Sequence, residues 1–245
     1  MTVLLISDLH LHAGVPDIAA GFLGYLQRQA READALYILG DFFEAWVGDD
    51  YQVQGEFEAP IIKALKQLSD DGTRLYFMHG NRDFLVGEGF AQASGATILP
   101  DPYLLELDGE RMLLMHGDSL CTRDEEYMKF RAMTRDPEWQ RQILALPVQE
   151  RLELARNLRS QSGEANSNKA QDIMDVTPEE VVKTMQEHQV RILIHGHTHR
   201  PDVHELEVDG EAAQRFVLGD WRADQGWDIR IDDGQAPRLR SFSFE

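Results

Sequence analysis

Apolar and polar positions alternate along this chain in blocks rather than singly. Short apolar runs at Val3–Ile6, Leu36–Leu39, Leu75–Met78, Met112–Met115 and Arg191–Ile194 each stop abruptly at a polar cluster. Runs of this length bounded by polar residues predict strands buried on both faces. Between the first three lie segments with apolar residues at helical spacing. Ile18, Phe22, Leu23 and Leu26 mark one helix, capped by Asp17, and Ile61, Ile62, Leu65 and Leu68 a second, ended by Asp71-Gly72. A third is predicted over Phe84–Ala93. Strand–helix–strand succession predicts parallel pairing in the first half. From Tyr103 the pattern changes, with Asp-Gly turns at 108–109, 209–210 and 233–234 between strand-like runs, the signal of antiparallel hairpins. The expected architecture is mixed α/β (α+β), with two sheets packed face to face and helices outside.

Residues 123–169 break this pattern. They hold no convincing strand and read as helices interrupted at Pro137 and Pro147, carrying Tyr127, Phe130 and Met133 on one and Leu152, Ala155 and Leu158 on another. The stretch 160–169 is polar and reads as loop or helix junction. Nine Lys and Arg against eight Asp and Glu give this segment +1, which leaves −20 for the rest of a chain whose net charge is −19. A near-neutral helical insertion (123–169) on an acidic core (1–122 and 170–245) is therefore expected. The core resumes at Thr177-Pro178-Glu179-Glu180, where an N-cap, an N1 proline and an acidic first turn open a further helix.

Composition narrows the partners. At 42% hydrophobic and 27% charged the chain has an ordinary globular make-up. A charge of −19 excludes a nucleic-acid surface, which needs clustered Lys and Arg. The single cysteine, Cys121, forbids an internal disulfide and reads as a small buried residue rather than a nucleophile. The first strand has no basic stretch before it, and no apolar run approaches the ~18 residues of a spanning helix. A cytosolic protein, or one lying on a membrane surface, is expected, with no obligate protein partner.

The polar clusters after the strands carry the chemistry. In order they are Asp8-Leu9-His10, Gly40-Asp41, Gly80-Asn81-Arg82-Asp83, His116, and Gly196-His197-Thr198-His199. Each alone is weak, since Gly-Asp is a turn and a lone His is usually a satisfied core residue. Together they deliver carboxylates, imidazoles and one amide oxygen to one sheet edge, where open α/β sheets bind ligands. Without a thiolate the set suits Mn²⁺, Fe²⁺ or Zn²⁺. Seven ligands exceed one catalytic ion with an open position and suit two ions about 3.5–4 Å apart. The segment Phe42–Asp50 reads either as a loop walling this site or as a short buried stretch.

The ordered clusters resemble the calcineurin-type metallophosphoesterases, a four-layer αββα sandwich. The resemblance implies that Asp8, His10 and His199 hold one ion, that Asn81, His116 and His197 hold the other, and that Asp41 bridges. One position departs from the pattern. The residue after the asparagine is usually a histidine that protonates an alkoxide leaving group, and here it is Arg82. A guanidinium cannot act as a general acid near neutral pH. The leaving group should then need no proton, which favours a phosphoanhydride over a phosphomonoester, with Arg82 stabilising charge. The alternative is that Arg82 serves only as an ion-pair partner of Asp83, while Asp83 could itself orient Arg82 or a ligating imidazole.

Within that superfamily, Gly-Asp-Phe-Phe-Glu-Ala-Trp at 40–46, His-Gly-Asn-Arg-Asp-Phe-Leu at 79–85, Met-His-Gly-Asp-Ser-Leu-Cys-Thr at 115–122, Glu-Ala-Asn-Ser at 164–167 and His-Gly-His-Thr-His-Arg-Pro at 195–201 resemble one family nearly end to end. It is the UDP-2,3-diacylglucosamine pyrophosphohydrolases of Gram-negative lipid A synthesis. That resemblance implies a Mn²⁺-dependent hydrolase on the cytoplasmic face of the inner membrane, attached peripherally, releasing UMP by water attack on the α-phosphorus. It implies substrate contacts from Asn81, Arg82, Asp124, Ser162, Asn166, Lys169 and His197, with the helical insertion as a lid over an acyl-chain cleft. Read without the family, Ser162, Asn166 and Lys169 would be exposed loop residues. A phosphoesterase for nucleotides or phosphoproteins, or a scaffold that has lost catalysis, are the rival readings. The first leaves Arg82 and the insertion unexplained; the second should have lost a ligand.

Overall fold

A computed structural model describes residues 1–167 and 175–244, with side chains given outside 161–174. Among the described residues the strands are β1 (Thr2–Ile6), β2 (Ala35–Leu39), β3 (Arg74–Met78), β4 (Ala96–Leu99), β5 (Tyr103–Leu107), β6 (Glu110–Leu114), β7 (Ile192–His195), β8 (Asp202–Val208), β9 (Glu211–Val217), β10 (Gln225–Asp232) and β11 (Arg238–Ser243). The helices are α1 (Pro16–Arg28), α2 (Asp49–Gln52), α3 (Glu58–Asp70), α4 (Glu88–Ser94), α5 (Glu125–Thr134), α6 (Pro137–Leu144), α7 (Val148–Ser167) and α8 (Pro178–His188).

Strands form a six-stranded sheet in the order β11-β10-β1-β2-β3-β4 and a five-stranded sheet in the order β5-β6-β7-β9-β8. The period-2 pleat of each strand sends alternate side chains to opposite faces. Val3, Leu5, Tyr37, Leu39 and Met78 therefore face Leu105, Met112, Leu114, Ile194 and Phe216 of the second sheet, making the central core. Leu4, Ile6, Leu36, Ile38 and Phe77 point the other way, onto Phe22 and Leu26 of α1, Ile61, Ile62 and Leu65 of α3 and Phe90 of α4. On the outer face of the second sheet, Leu113, Leu193 and Val208 pack on Val181 and Met185 of α8. The result is a four-layer αββα sandwich.

The first three strands pair in parallel, and Asp-Gly turns at 108–109 and 209–210 close the β5–β6 and β8–β9 hairpins as the sequence predicts. The second sheet is more mixed than expected, because β7 pairs in parallel with both β6 and β9. The prolines at 137 and 147 do separate three helices, α5 to α7.

Three local expectations fail: the Asp17 cap, the length of the third helix, and the loop or junction read at 160–169, where α7 continues through Ser167. Helix α1 begins at Pro16 with Val15 as its N-cap residue, so Asp17 lies in the first turn rather than at the cap. The predicted third helix is shorter, Glu88–Ser94, because Val86 N–H closes a turn onto Asp83 O. Its amides at Gly87 and Phe90 are then held by the Asp49 carboxylate of α2, at 3.1 Å each. Elements α2 and β4, of four residues each, are too short to show a period. Cys121 is buried among apolar neighbours, and burial with Asp118 nearby pushes its thiol up to about 12, which suits packing rather than nucleophilic chemistry. Among the described residues no helix is long and apolar enough to cross a membrane.

Candidate metal centre and adjoining cleft

Five loops at the C-terminal ends of β1, β2, β3, β6 and β7 meet between the two sheets. The chain must turn sharply there to present side chains inward, and Asp8, His10, Asp41, His197 and His199 all adopt positive φ, between 50° and 67°. Such backbone is unusual outside glycine and persists only where its surroundings enforce it. Gly40 and Gly80 pack so closely that a Cβ on Gly80 would lie 2.1 Å from the Asp41 amide nitrogen and Oδ1, which no side chain tolerates.

The ligand-type atoms converge in two groups. In the first, His199 Nε2 lies 3.3 Å from Asp8 Oδ1 and 3.1 Å from His10 Nε2. In the second, Asn81 Oδ1 lies 3.0 Å from His116 Nε2 and 2.9 Å from His197 Nδ1. Asp41 reaches both, with Oδ1 3.7 Å from His116 Nε2 and Oδ2 4.0 Å from His10 Nε2. All seven sequence-predicted ligands are thus brought together, in the two sets expected. Each of Asp8–His10–His199 and Asp41–His116–His197 has its donor atoms within 4.8 Å of one another, a spacing that can hold a metal ion.

Tautomers and charge fit cations. His116 Nδ1–H donates to the Leu39 carbonyl at 2.9 Å, which leaves the Nε2 lone pair facing the centre. Burial, with His116 beside it, pushes His197 down to about 4, so that imidazole is neutral and available as a ligand. Burial would raise the Asp8 carboxyl, but the His199 imidazole bonded to it holds it well below the usual range. Asp8 also accepts the His197 amide, at 3.0 Å to Oδ2, tying the β1 loop to the β7 loop. Two imidazole nitrogens 3.1 Å apart beside a carboxylate, with no thiolate in the set, suit borderline divalent ions.

Asp83 has neither role considered for it. Fully buried, it accepts four backbone amides: Gly80 at 2.8 Å and Asp41 at 3.3 Å on Oδ1, Phe42 at 2.8 Å and Phe43 at 3.3 Å on Oδ2. It fixes the two loops that carry Asp41 and Asn81 instead of orienting Arg82 or an imidazole. The Arg82 side chain pairs with Glu44, at 3.9 Å from Nη1 to Oε1.

Glu44 is the functional-site residue that sequence reasoning leaves as a guess. It is buried in the wall segment, with Oε2 3.1 Å from His10 Nδ1 and Oε1 2.8 Å from Arg159 Nη2 on α7. Burial lowers His10, but the Glu44 contact and the Asp41 carboxylate outweigh it and bring the ring up to about 9 when no cation is bound. The wall segment itself meets both readings offered for it. Phe42, Phe43 and Trp46 are core, and a single bridge joins Phe43 to Leu11.

Beside the ligand groups opens a cleft of about 560 Å³. Its floor is Leu11, Trp46, Phe84 and Leu85; its far wall is Phe130, Trp139, Ile143, Leu152, Ala155 and Leu158 from α5, α6 and α7. Asn81, Arg82 and Glu44 stand at its polar end. The helices are anchored over it. Arg151 of α7, 3% exposed, donates to Val47 O at 2.6 Å and to Asp50 Oδ1 at 2.8 Å. Tyr127 of α5 donates to buried Asp118 at 2.7 Å, and its ring lies 5.7 Å from that of His197. Arg135 donates to the carbonyls of His79 and Gly80 at 3.3 and 3.0 Å.

Of the substrate residues expected, Asn81, Arg82 and His197 are at this centre. Asp124 is buried and caps α5, accepting the Tyr127 amide at 3.0 Å. Ser162 and Asn166 fall on the last part of α7, where side chains are not described, and Lys169 lies outside the described residues.

Residues 1–201 match the sequence profile of the calcineurin-like phosphoesterases. Three similar proteins carry the name UDP-2,3-diacylglucosamine hydrolase. That of Chromohalobacter salexigens is 66% identical over all of this chain and 99% of its own length. That of Pseudomonas paraeruginosa is 57% identical over 95% of each chain. That of Pseudomonas savastanoi is 54% identical over 99% of this chain and 96% of its own.

Proposed function

The chain belongs to the calcineurin-like phosphoesterases, and from that premise we propose that it hydrolyses the pyrophosphate bond of UDP-2,3-diacylglucosamine, giving UMP and 2,3-diacylglucosamine 1-phosphate. The observation that carries this reading is the apolar cleft opening directly onto Asn81 and Arg82 beside the two ligand groups. A diacylated sugar phosphate needs both halves of that arrangement, and a water-soluble phosphoester needs only one.

In this reading Asp8, His10 and His199 hold one divalent ion, Asn81, His116 and His197 the other, and Asp41 contributes to both, with Mn²⁺ as the native metal. When bound, such a pair stabilises charge on phosphoryl oxygens and lowers the pKa of water. The chain's own residues orient and hold. Arg82, 30% exposed at the mouth of the cleft, places a fixed cation where charge develops on the departing phosphate. Glu44 stands 3.9 Å from that guanidinium and lies behind His10, 3.1 Å from its Nδ1. With water attacking the α-phosphorus, the sugar 1-phosphate is the leaving group; it departs as a phosphate monoester whose second pKa is about 6 and needs no proton from the protein. No histidine in Arg82's place is then required.

Residues 123–169 act as a lid over the acyl chains bound at the 1–122 and 170–245 core, with α5 to α7 forming the far wall of the cleft. Ser162, Asn166, Lys169 and Asp124 complete the sugar-side contacts. Met133 and Leu144, 40% and 41% exposed on α5 and α6, support peripheral contact with the cytoplasmic face of the inner membrane, as does the near-neutral charge of the lid.

Purified protein supplied with Mn²⁺ tests this. UMP release from UDP-2,3-diacylglucosamine should far exceed hydrolysis of p-nitrophenyl phosphate. The reverse ranking refutes the substrate reading. Substituting Mg²⁺ or Zn²⁺ for Mn²⁺ in the same assay tests the metal, and equal rates with all three contradict a Mn²⁺ preference.

A further inference from the structure

Asn81 sits in a stretch of backbone with little stiffness of its own. Gly80 precedes it, and a Cβ there would collide with Asp41, so the chain needs glycine at that point and takes on its rotational freedom. Other residues hold the peptides around Asn81 instead. The Asp83 carboxylate accepts the Gly80 N–H at 2.8 Å, and Asp41 Oδ1 accepts the Arg82 N–H at 2.8 Å. Both of these acceptors belong to the core. The carbonyls of His79 and Gly80 accept from Arg135 Nη2, at 3.3 and 3.0 Å. Arg135 is the C-cap residue of α5, so the Asn81 loop is fastened on one side by the core and on the other by the helical insertion.

The same helix meets the other two members of that ligand group. Tyr127 OH and Arg131 Nε donate to Asp118 Oδ2 at 2.7 and 3.0 Å, and Asp118 lies two residues beyond His116. The Tyr127 ring is 5.7 Å from that of His197. Asn81 Oδ1 ends 3.0 Å from His116 Nε2 and 2.9 Å from His197 Nδ1, so a rotation of the Gly80–Asn81 peptide would carry it out of the group. We propose that Arg135 is a positioning residue for the ion of the Asn81, His116 and His197 group. By holding the His79 and Gly80 carbonyls from α5, it keeps the Asn81 amide oxygen where the two imidazoles converge, and the affinity of that ion depends on the docking of the insertion. The sign of the effect separates this role from a purely electrostatic one. A guanidinium near a cation opposes it, so losing the charge alone would tighten the ion, whereas losing a clamp on Asn81 weakens it.

The inference rests on the two-ion reading, and calorimetric titration of the metal-free full chain with Mn²⁺ separates the two. The parent should take up two ions. Arg135→Met should bind one of them as the parent does and the other at least roughly tenfold more weakly, equivalent to about 1.4 kcal/mol. Asp118 keeps its bonds from Tyr127 and Arg131 in that variant. Arg135→Gln, polar but shorter, should do the same and serves if the first variant fails to fold. In an Asn81→Ala background the Arg135 substitution should cost little more, because the group it positions is already gone. Arg151→Met, which loosens α7 and not α5, should leave both affinities at the parent values. Ions bound as tightly as in the parent or more tightly by Arg135→Met, an equal weakening in Arg151→Met, or full additivity with Asn81→Ala overturns the role of Arg135. A parent that takes up a single Mn²⁺ overturns the two-ion reading beneath it.

Discussion

Replacing Asp83 with asparagine removes one oxygen from a side chain that holds four backbone amides. The remaining Oδ1 can keep two of them. The new NH₂ then faces the other two N–H groups, donor against donor, in a fully buried setting. Each buried amide left unsatisfied costs about 1–3 kcal/mol, so the pair costs about 2–6 kcal/mol if the backbone stays put. Against a total stability of about 5–15 kcal/mol, that is a large share. At about 2–4 °C per kcal/mol for a chain of this size, Tm should fall by roughly 5–20 °C. Relaxation of the backbone would lower the stability cost, but the atoms that must move are those of Gly80 and residues 41–43. Movement there displaces Asp41 and Asn81, so the loss reappears as weaker metal binding. Thermal unfolding of the metal-free protein and a Mn²⁺ titration should therefore be run together. A Tm within about 1 °C of the parent together with unchanged Mn²⁺ affinity refutes the reasoning, because no third place remains for the cost to appear.

Asp101 gives a pH test. Its carboxylate oxygens are buried without a hydrogen bond, with Arg131 Nη2 at 3.5 Å from Oδ2, and burial with the nearby Asp118 charge pushes it up to about 6. A carboxyl whose folded pKa is raised binds more protons in the native state between about pH 4 and 6, so its contribution makes stability fall as pH rises through that window. Asp101→Asn should stabilise above pH 6 by about 2–3 kcal/mol at most, with the gain vanishing below about pH 4; denaturant titrations across that range check it, and a gain independent of pH contradicts it. Arg151→Met should raise KM for the acylated substrate roughly tenfold with kcat little changed, since α7 loses its bonds to Val47 and Asp50; an unchanged KM removes the lid. Asp41→Ala should abolish turnover and reduce the ions retained after dialysis, and two retained ions with a near-normal kcat contradict the shared ligand. Arg82→His should lower turnover of the nucleotide sugar more than that of an aryl phosphate, and equal losses argue against charge stabilisation at the leaving group.

What the sequence disclosed and what it withheld divide along one physical line. The seven ligand-type residues are legible because each follows a strand whose apolar run ends at it, and strand ends in a parallel sheet all lie along one edge. Position along the chain therefore implies position in space. The residues that hold them carry no such mark. Asp83 is adjacent to Arg82 in sequence, and local reasoning pairs the two; the fold instead turns its carboxylate inward onto amides some 40 positions away, Asp41 to Phe43. Glu44 reads as one more acidic residue in an aromatic stretch, and its role depends on His10 and Arg159 arriving from β1 and α7. Asp49 caps a helix 38 residues onward, which is why the third predicted helix begins late. In each case the side chain satisfies backbone or charge from a different element, and only the packed layers bring that partner within reach. Spacing in a sequence identifies groups aimed at a ligand, because the ligand gathers them at one edge. It does not identify groups aimed at the protein itself, and the positive φ angles at Asp8, His10, Asp41, His197 and His199 indicate how much of this centre depends on the second kind.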